Sequence, residues 1–87
     1  MKGSPGGAPG LTLYSRQWCH LCREMEEGLL RLQIELRFDL EVLVVVADPQ
    51  LEARFNERVP VLECDGKELC HYVLDAAAVR AYLSDFR

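Results

Sequence analysis

Long apolar runs are missing from this 87-residue sequence. The longest, Val42 to Ala47, is far shorter than the roughly 20 residues that cross a bilayer, so a membrane-spanning helix is excluded. Clusters of Lys or Arg are also missing. The net charge is −4, and phosphate backbones need a basic surface, so nucleic acid is not an expected partner. Internal repeats are absent. Met1 to Gly10, MKGSPGGAPG, has a lysine but no apolar centre, so it does not read as a secretory signal. The expectation is a cytoplasmic protein with no membrane contact, in a compartment where thiols stay reduced.

Residues 1–10 carry Gly and Pro without periodicity and read as a disordered tail. Residues 11–87 are enough for one small domain and too few for two. A chain of this size buries only about 60–65% of its unfolded surface, so its core has to be used efficiently. A monomer is expected.

Leu11–Tyr14 is a short apolar strand candidate. From about Cys19, Leu21, Met25, Leu29 and Leu32 recur at helical spacing. Gly28 weakens that helix by roughly 1 kcal/mol relative to Ala. Leu40–Val46 is a β-branched run, expected to be a parallel strand buried on both faces. Asp48-Pro49 opens a short helix, because Asp caps and Pro suits the first helical position. Its apolar face is Leu51 and Phe55, and it ends before Val59-Pro60. Asp65-Gly66 between two short apolar runs is a strong hairpin signal. Asp75 can cap a last helix with Val79, Tyr82, Leu83 and Phe86 on one face. The order β-α-β-α-β-β-α implies an α/β fold with a four-stranded mixed sheet and flanking helices.

The chemistry concentrates in Cys19-His20-Leu21-Cys22. Cys19 falls at a helix start, where unpaired N–H groups and the helix dipole favour a thiolate. Cys22 lies one turn deeper and less exposed. An outer thiolate can attack a disulfide, and an inner thiol can resolve the mixed intermediate. As an imidazolium, His20 would stabilise the thiolate further. The rival reading is metal binding. Zinc needs two more ligands, drawn from Cys64, Cys70, His20 and His71. With a two-residue turn at Asp65-Gly66, Cys64 pairs with Lys67 and Val61 with Cys70, which sends the two cysteines to opposite sheet faces. A three-residue turn would put both on one face. Read as ordinary residues, Cys64 and Cys70 are small buried hydrophobes and His71 is a polar strand end.

Taken together, Tyr14-Ser15-Arg16-Gln17-Trp18-Cys19-His20-Leu21-Cys22, Val59-Pro60-Val61-Leu62 and Asp65-Gly66 resemble the thioredoxin superfamily from Leu11 to about Phe86. The closest likeness is to small bacterial glutaredoxin-like proteins. The resemblance implies a thioredoxin-like, glutaredoxin-type fold and a thiol–disulfide oxidoreductase with Cys19 as nucleophile and Cys22 as resolving thiol. It implies that Pro60 is a cis-proline facing the dithiol, and that the Val59 backbone pairs with an extended substrate. Arg16, Trp18, His20 and Asp75 are the further substrate-binding candidates. The implied substrates are protein disulfides or glutathione mixed disulfides, with glutathione as a possible cosubstrate and no resident cofactor or metal. Two other readings belong to the same fold: a metal or iron–sulfur carrier, and a binding module without turnover. The sequence departs from glutaredoxins where His20-Leu21 replaces Pro-Tyr and Cys70-His71 replaces Gly-Gly. It departs from thioredoxins where Leu13 replaces a buried Asp.

Overall fold

The computed structural model describes residues 9–55 and 57–84. Its elements are β1 (Gly10–Ser15), α1 (His20–Glu35), β2 (Asp39–Val44), a 3₁₀ turn (Val45–Ala47), α2 (Pro49–Phe55), β3 (Val61–Cys64), β4 (Lys67–His71) and α3 (Ala76–Leu83). This is the expected α/β order. The strands form one mixed sheet in the order β2-β1-β3-β4. β1 runs parallel to β2 and antiparallel to β3, and β3 runs antiparallel to β4. Of the tail, residues 1–8 lie outside the described residues. Gly10 already belongs to β1, and the Pro9 carbonyl accepts the Asp39 amide at 2.9 Å.

Alternation along β1 and β3 divides the core in two. Leu11, Leu13, Leu62 and Cys64 face α1 and α3, where they meet Met25, Leu29, Leu32, Val79 and Leu83. Val61 and Tyr14 face the other way, toward Phe55 and Leu51 of α2, with Val45, Val59 and Cys22. The buried stripe of α1 is Cys22, Met25, Leu29 and Leu32. Leu21, expected to head it, is 41% exposed. The helix begins one residue after Cys19, and Cys22 takes the inward position.

Two expectations are corrected. The valine-rich segment is not a strand buried on both faces. β2 is an edge strand, Val42 is 37% exposed, and the chain leaves the sheet after Val44. The central positions belong to β1 and β3, and Val45 reaches full burial only by turning into the α2-side cluster. The second correction concerns the hairpin. Asp65 and Gly66 both have positive φ (53° and 79°), the backbone of a two-residue primed turn, and Cys64 does pair with Lys67. A bulge then shifts the ladder between Leu62 and Glu63, so that Cys70 pairs with Leu62 and His71 with Val61. The extra residue, Leu69, reverses the parity of β4 beyond it. Cys70 therefore shares a face with Cys64, and both pack against the α1/α3 core.

Candidate active site

β1 delivers the chain to the site and α1 receives it. Between them, Trp18 has φ 60° and is 95% exposed. Cys19 then takes extended backbone angles and caps α1. Its Sγ accepts the Cys22 amide at 3.1 Å, and its carbonyl accepts the Arg23 amide at 3.1 Å. This is the position of an N-cap side chain, with sulfur where Ser or Asp would put oxygen. A thiolate there meets a donor already aimed at it and the positive end of the helix dipole.

Cys19 and Cys22 form a disulfide with Cα atoms 5.2 Å apart. The two ends differ in access. Cys19 is half-buried, while Cys22 is 2% exposed and packed among Val45, Phe55, Val59 and Val61. The outer sulfur is open to a partner and the inner one is enclosed.

Val59 and Pro60 precede β3, and both are buried. Their peptide bond is cis. Val59 belongs to the cluster that holds Cys22 and touches Cys19, so the fold brings these candidates together. His20 lies on the surface side, with 78% of its side chain exposed and Nε2 2.8 Å from the Glu24 carboxylate. Arg16 is half-buried just after β1. Asp75 caps α3 by accepting the Ala78 amide at 3.0 Å, and its other neighbour is Cys70.

Leu13, where thioredoxins carry a buried Asp, is fully buried in the α1/α3-side core. Among the described residues the buried carboxylate is Glu63, on the α2 side. It accepts the Tyr14 hydroxyl and pairs with Arg54 Nη2 at 3.3 Å. Tyr14 stacks on Phe55 with centroids 4.3 Å apart, and Arg54 lies over the same ring at 4.4 Å. Burial, then the charge and hydrogen bond of Glu63, push the Tyr14 hydroxyl above its ordinary pKa. Sequence reasoning missed this group. Its only signal was a glutamate at alternating position within an otherwise apolar strand.

Cys64 and Cys70 are free thiols. Burial pushes both upward, with Asp65 adding to the effect at Cys64; Tyr82 opposes it there and an Asp75 backbone contact opposes it at Cys70. Cys64 is buried; Cys70 is half-buried like Cys19 but lies on β4, away from the α1 cap. Among the described residues, no three His, Cys, Asp or Glu side chains converge as a metal site.

The model of the glutaredoxin-like domain (DUF836) matches residues 10–84. An uncharacterized protein of Mycobacterium tuberculosis is 33% identical over 78 residues, which is 84% of this chain and 80% of that protein. The solution structure of a Nitrosomonas europaea protein is 42% identical with TM-score 0.79, covering 95% of this chain and 99% of that one. A crystal structure from X. campestris is 34% identical with TM-score 0.70, over 86% of this chain and 96% of that one. Fasciola hepatica thioredoxin, at 20% identity and TM-score 0.61 over 93% of this chain and 83% of that one, shares the fold. With the thioredoxin fold, the Cys-x-x-Cys pair at its helix start and a family match across nearly the whole chain, this protein belongs to the glutaredoxin-like domain family.

Proposed function

We propose that the protein is a thiol–disulfide oxidoreductase of glutaredoxin-like type. The observation that carries this reading is the asymmetry of the pair: Cys19 is half-open at the α1 cap and accepts an amide, while Cys22 is enclosed. In the reduced protein the Cys19 thiolate attacks one sulfur of a substrate disulfide. A Cys19–substrate disulfide forms, and the other substrate sulfur leaves as a thiolate that takes up a proton. Cys22 then gives up its proton and attacks the Cys19 sulfur. The Cys19–Cys22 disulfide closes and the second substrate thiol departs. The substrate gains two electrons and the dithiol loses two. A thiol reductant such as glutathione would restore the dithiol.

Val59 packs in the cluster that holds Cys22, which supports a role for its backbone in pairing with an extended substrate by strand-like hydrogen bonds. Trp18, exposed and next to Cys19 in the chain, and Arg16 are the further substrate contacts proposed. The substrates proposed are glutathione mixed disulfides and protein disulfides, without a resident cofactor.

The test is to equilibrate the full chain against glutathione redox buffers while assaying turnover of insulin and of a glutathione mixed disulfide. The expected result is reversible two-electron titration of Cys19 and Cys22 with turnover of at least one substrate. In the Cys22→Ser protein, a Cys19-linked mixed disulfide should accumulate and be visible by mass. A pair that exchanges with neither substrate would overturn the proposal.

A further inference from the structure

The segment Glu57–Pro60 carries Val59 to the dithiol, and it is fastened by a residue outside the motif. Tyr72 follows β4 with φ 66°, a left-handed backbone that side-chain-bearing residues seldom adopt. In that conformation its two polar groups reach opposite ends of the segment. Its amide donates to the Pro60 carbonyl at 2.8 Å, and its hydroxyl donates to the Glu57 carbonyl at 2.9 Å. Neighbouring residues reinforce the grip. Arg58 pairs with Glu68, and His71 Nδ1 lies 2.6 Å from the same carboxylate. The His71 ring meets Tyr72 edge-on at 4.7 Å.

The rest of the segment is held by the Arg58 amide, which donates to the Phe55 carbonyl at 2.8 Å, and by the burial of Val59 and Pro60. Glu57 is exposed, and among the described residues the Val59 amide and carbonyl make no hydrogen bond. Tyr72 is itself 44% exposed, so water competes for its hydroxyl and the bond adds only a few-fold to the local opening equilibrium. What it supplies is position: it fixes where the unpaired Val59 backbone stands relative to Cys19.

We infer that Tyr72 is a positioning residue that holds the Glu57–Pro60 segment so that the Val59 backbone can receive an extended substrate at the dithiol. This inference rests on the disulfide-exchange reading above. Its residue is distinct from those that do the chemistry, because Tyr72 acts only through the segment it fastens.

The test uses the full-length Tyr72→Phe protein, which keeps the ring and the main-chain bond but loses the hydroxyl tether. Two measurements are made. Amide hydrogen exchange on the oxidised protein reads the tether directly, and exchange at the residue 72 amide should quicken by about five-fold, as expected for the loss of one hydrogen bond. Insulin reduction should show KM raised by about five-fold with kcat unchanged. The pH profile of Cys19 alkylation should stay where it is. Tyr72→Ala, which also removes the contact with His71, should raise KM further. Unchanged amide exchange in Tyr72→Phe would overturn the inference. Faster exchange with unchanged KM would overturn it too, since the tether would then serve stability alone. A shift in kcat or in the Cys19 profile would place Tyr72 in the chemistry and equally refute a positioning role. Wild-type protein without turnover would instead refute the exchange reading, while amide exchange would still report on the tether.

Discussion

Replacing Glu63 by Ala should destabilise the domain by about 1–3 kcal/mol. Glu63 is 7% exposed and accepts the Tyr14 hydroxyl as well as the Arg54 guanidinium. Its loss leaves the half-buried Tyr14 hydroxyl without its acceptor, a cost of about 1–2 kcal/mol, below that of a fully buried donor. The lost pairing with Arg54 adds less than about 1 kcal/mol, because that side chain is 58% exposed and rehydrates. For a domain of this size each kcal/mol shifts Tm by about 4–8 °C, so a fall of about 5–20 °C is expected. Glu63→Gln retains an acceptor oxygen and should cost about 1 kcal/mol. Calorimetry or urea unfolding of the oxidised proteins measures both. The same site predicts an alkaline effect. Tyr14 titrates above its ordinary value in the fold, so its contribution is complete below about pH 10 and is lost as pH rises through the folded value. Glu63→Ala should weaken that alkaline loss. A Glu63→Ala protein within about 0.5 kcal/mol of wild type would refute the reasoning.

Two further outcomes follow from the packing. In the reduced protein at neutral pH, iodoacetamide should label Cys19 well ahead of Cys64 and Cys70, whose thiols burial pushes upward; peptide mapping that finds Cys70 labelled as fast as Cys19 would contradict this. Gly28→Ala should gain less than the roughly 1 kcal/mol that helix propensity offers, because a Cβ there would stand 2.7 Å from Leu74 Cδ2 and that side chain must move aside; a full gain in urea unfolding would show the contact to be free of cost.

What was legible in the sequence was local. Cys19 at a strand-loop-helix junction, Asp48-Pro49 at the start of α2 and Asp65-Gly66 at the hairpin each act through near neighbours, and each stands where the pattern put it. The remaining features depend on register between distant segments. Nothing in Leu40–Val46 distinguishes a central parallel strand from an edge strand whose valines are partly exposed. The bulge opposite Leu62 and Glu63 answers to the packing of β4, and one extra residue was enough to bring Cys70 to the face of Cys64. Cys22 is enclosed as expected, but Leu21 falls off the buried stripe, because one residue along a helix is worth about 100° of rotation. Glu63 and Tyr72 act through partners such as Tyr14, Arg54 and Glu57, which only the folded chain brings near.

The central claim is that the α1 cap activates Cys19. The pH dependence of its alkylation in the reduced protein tests that directly. Because its Sγ stands where the Cys22 amide already points, the account predicts a Cys19 thiol that ionises well below the free-cysteine value of about 8.5. A Cys19 that titrates at about 8.5 or above, like an unactivated cysteine, would contradict it.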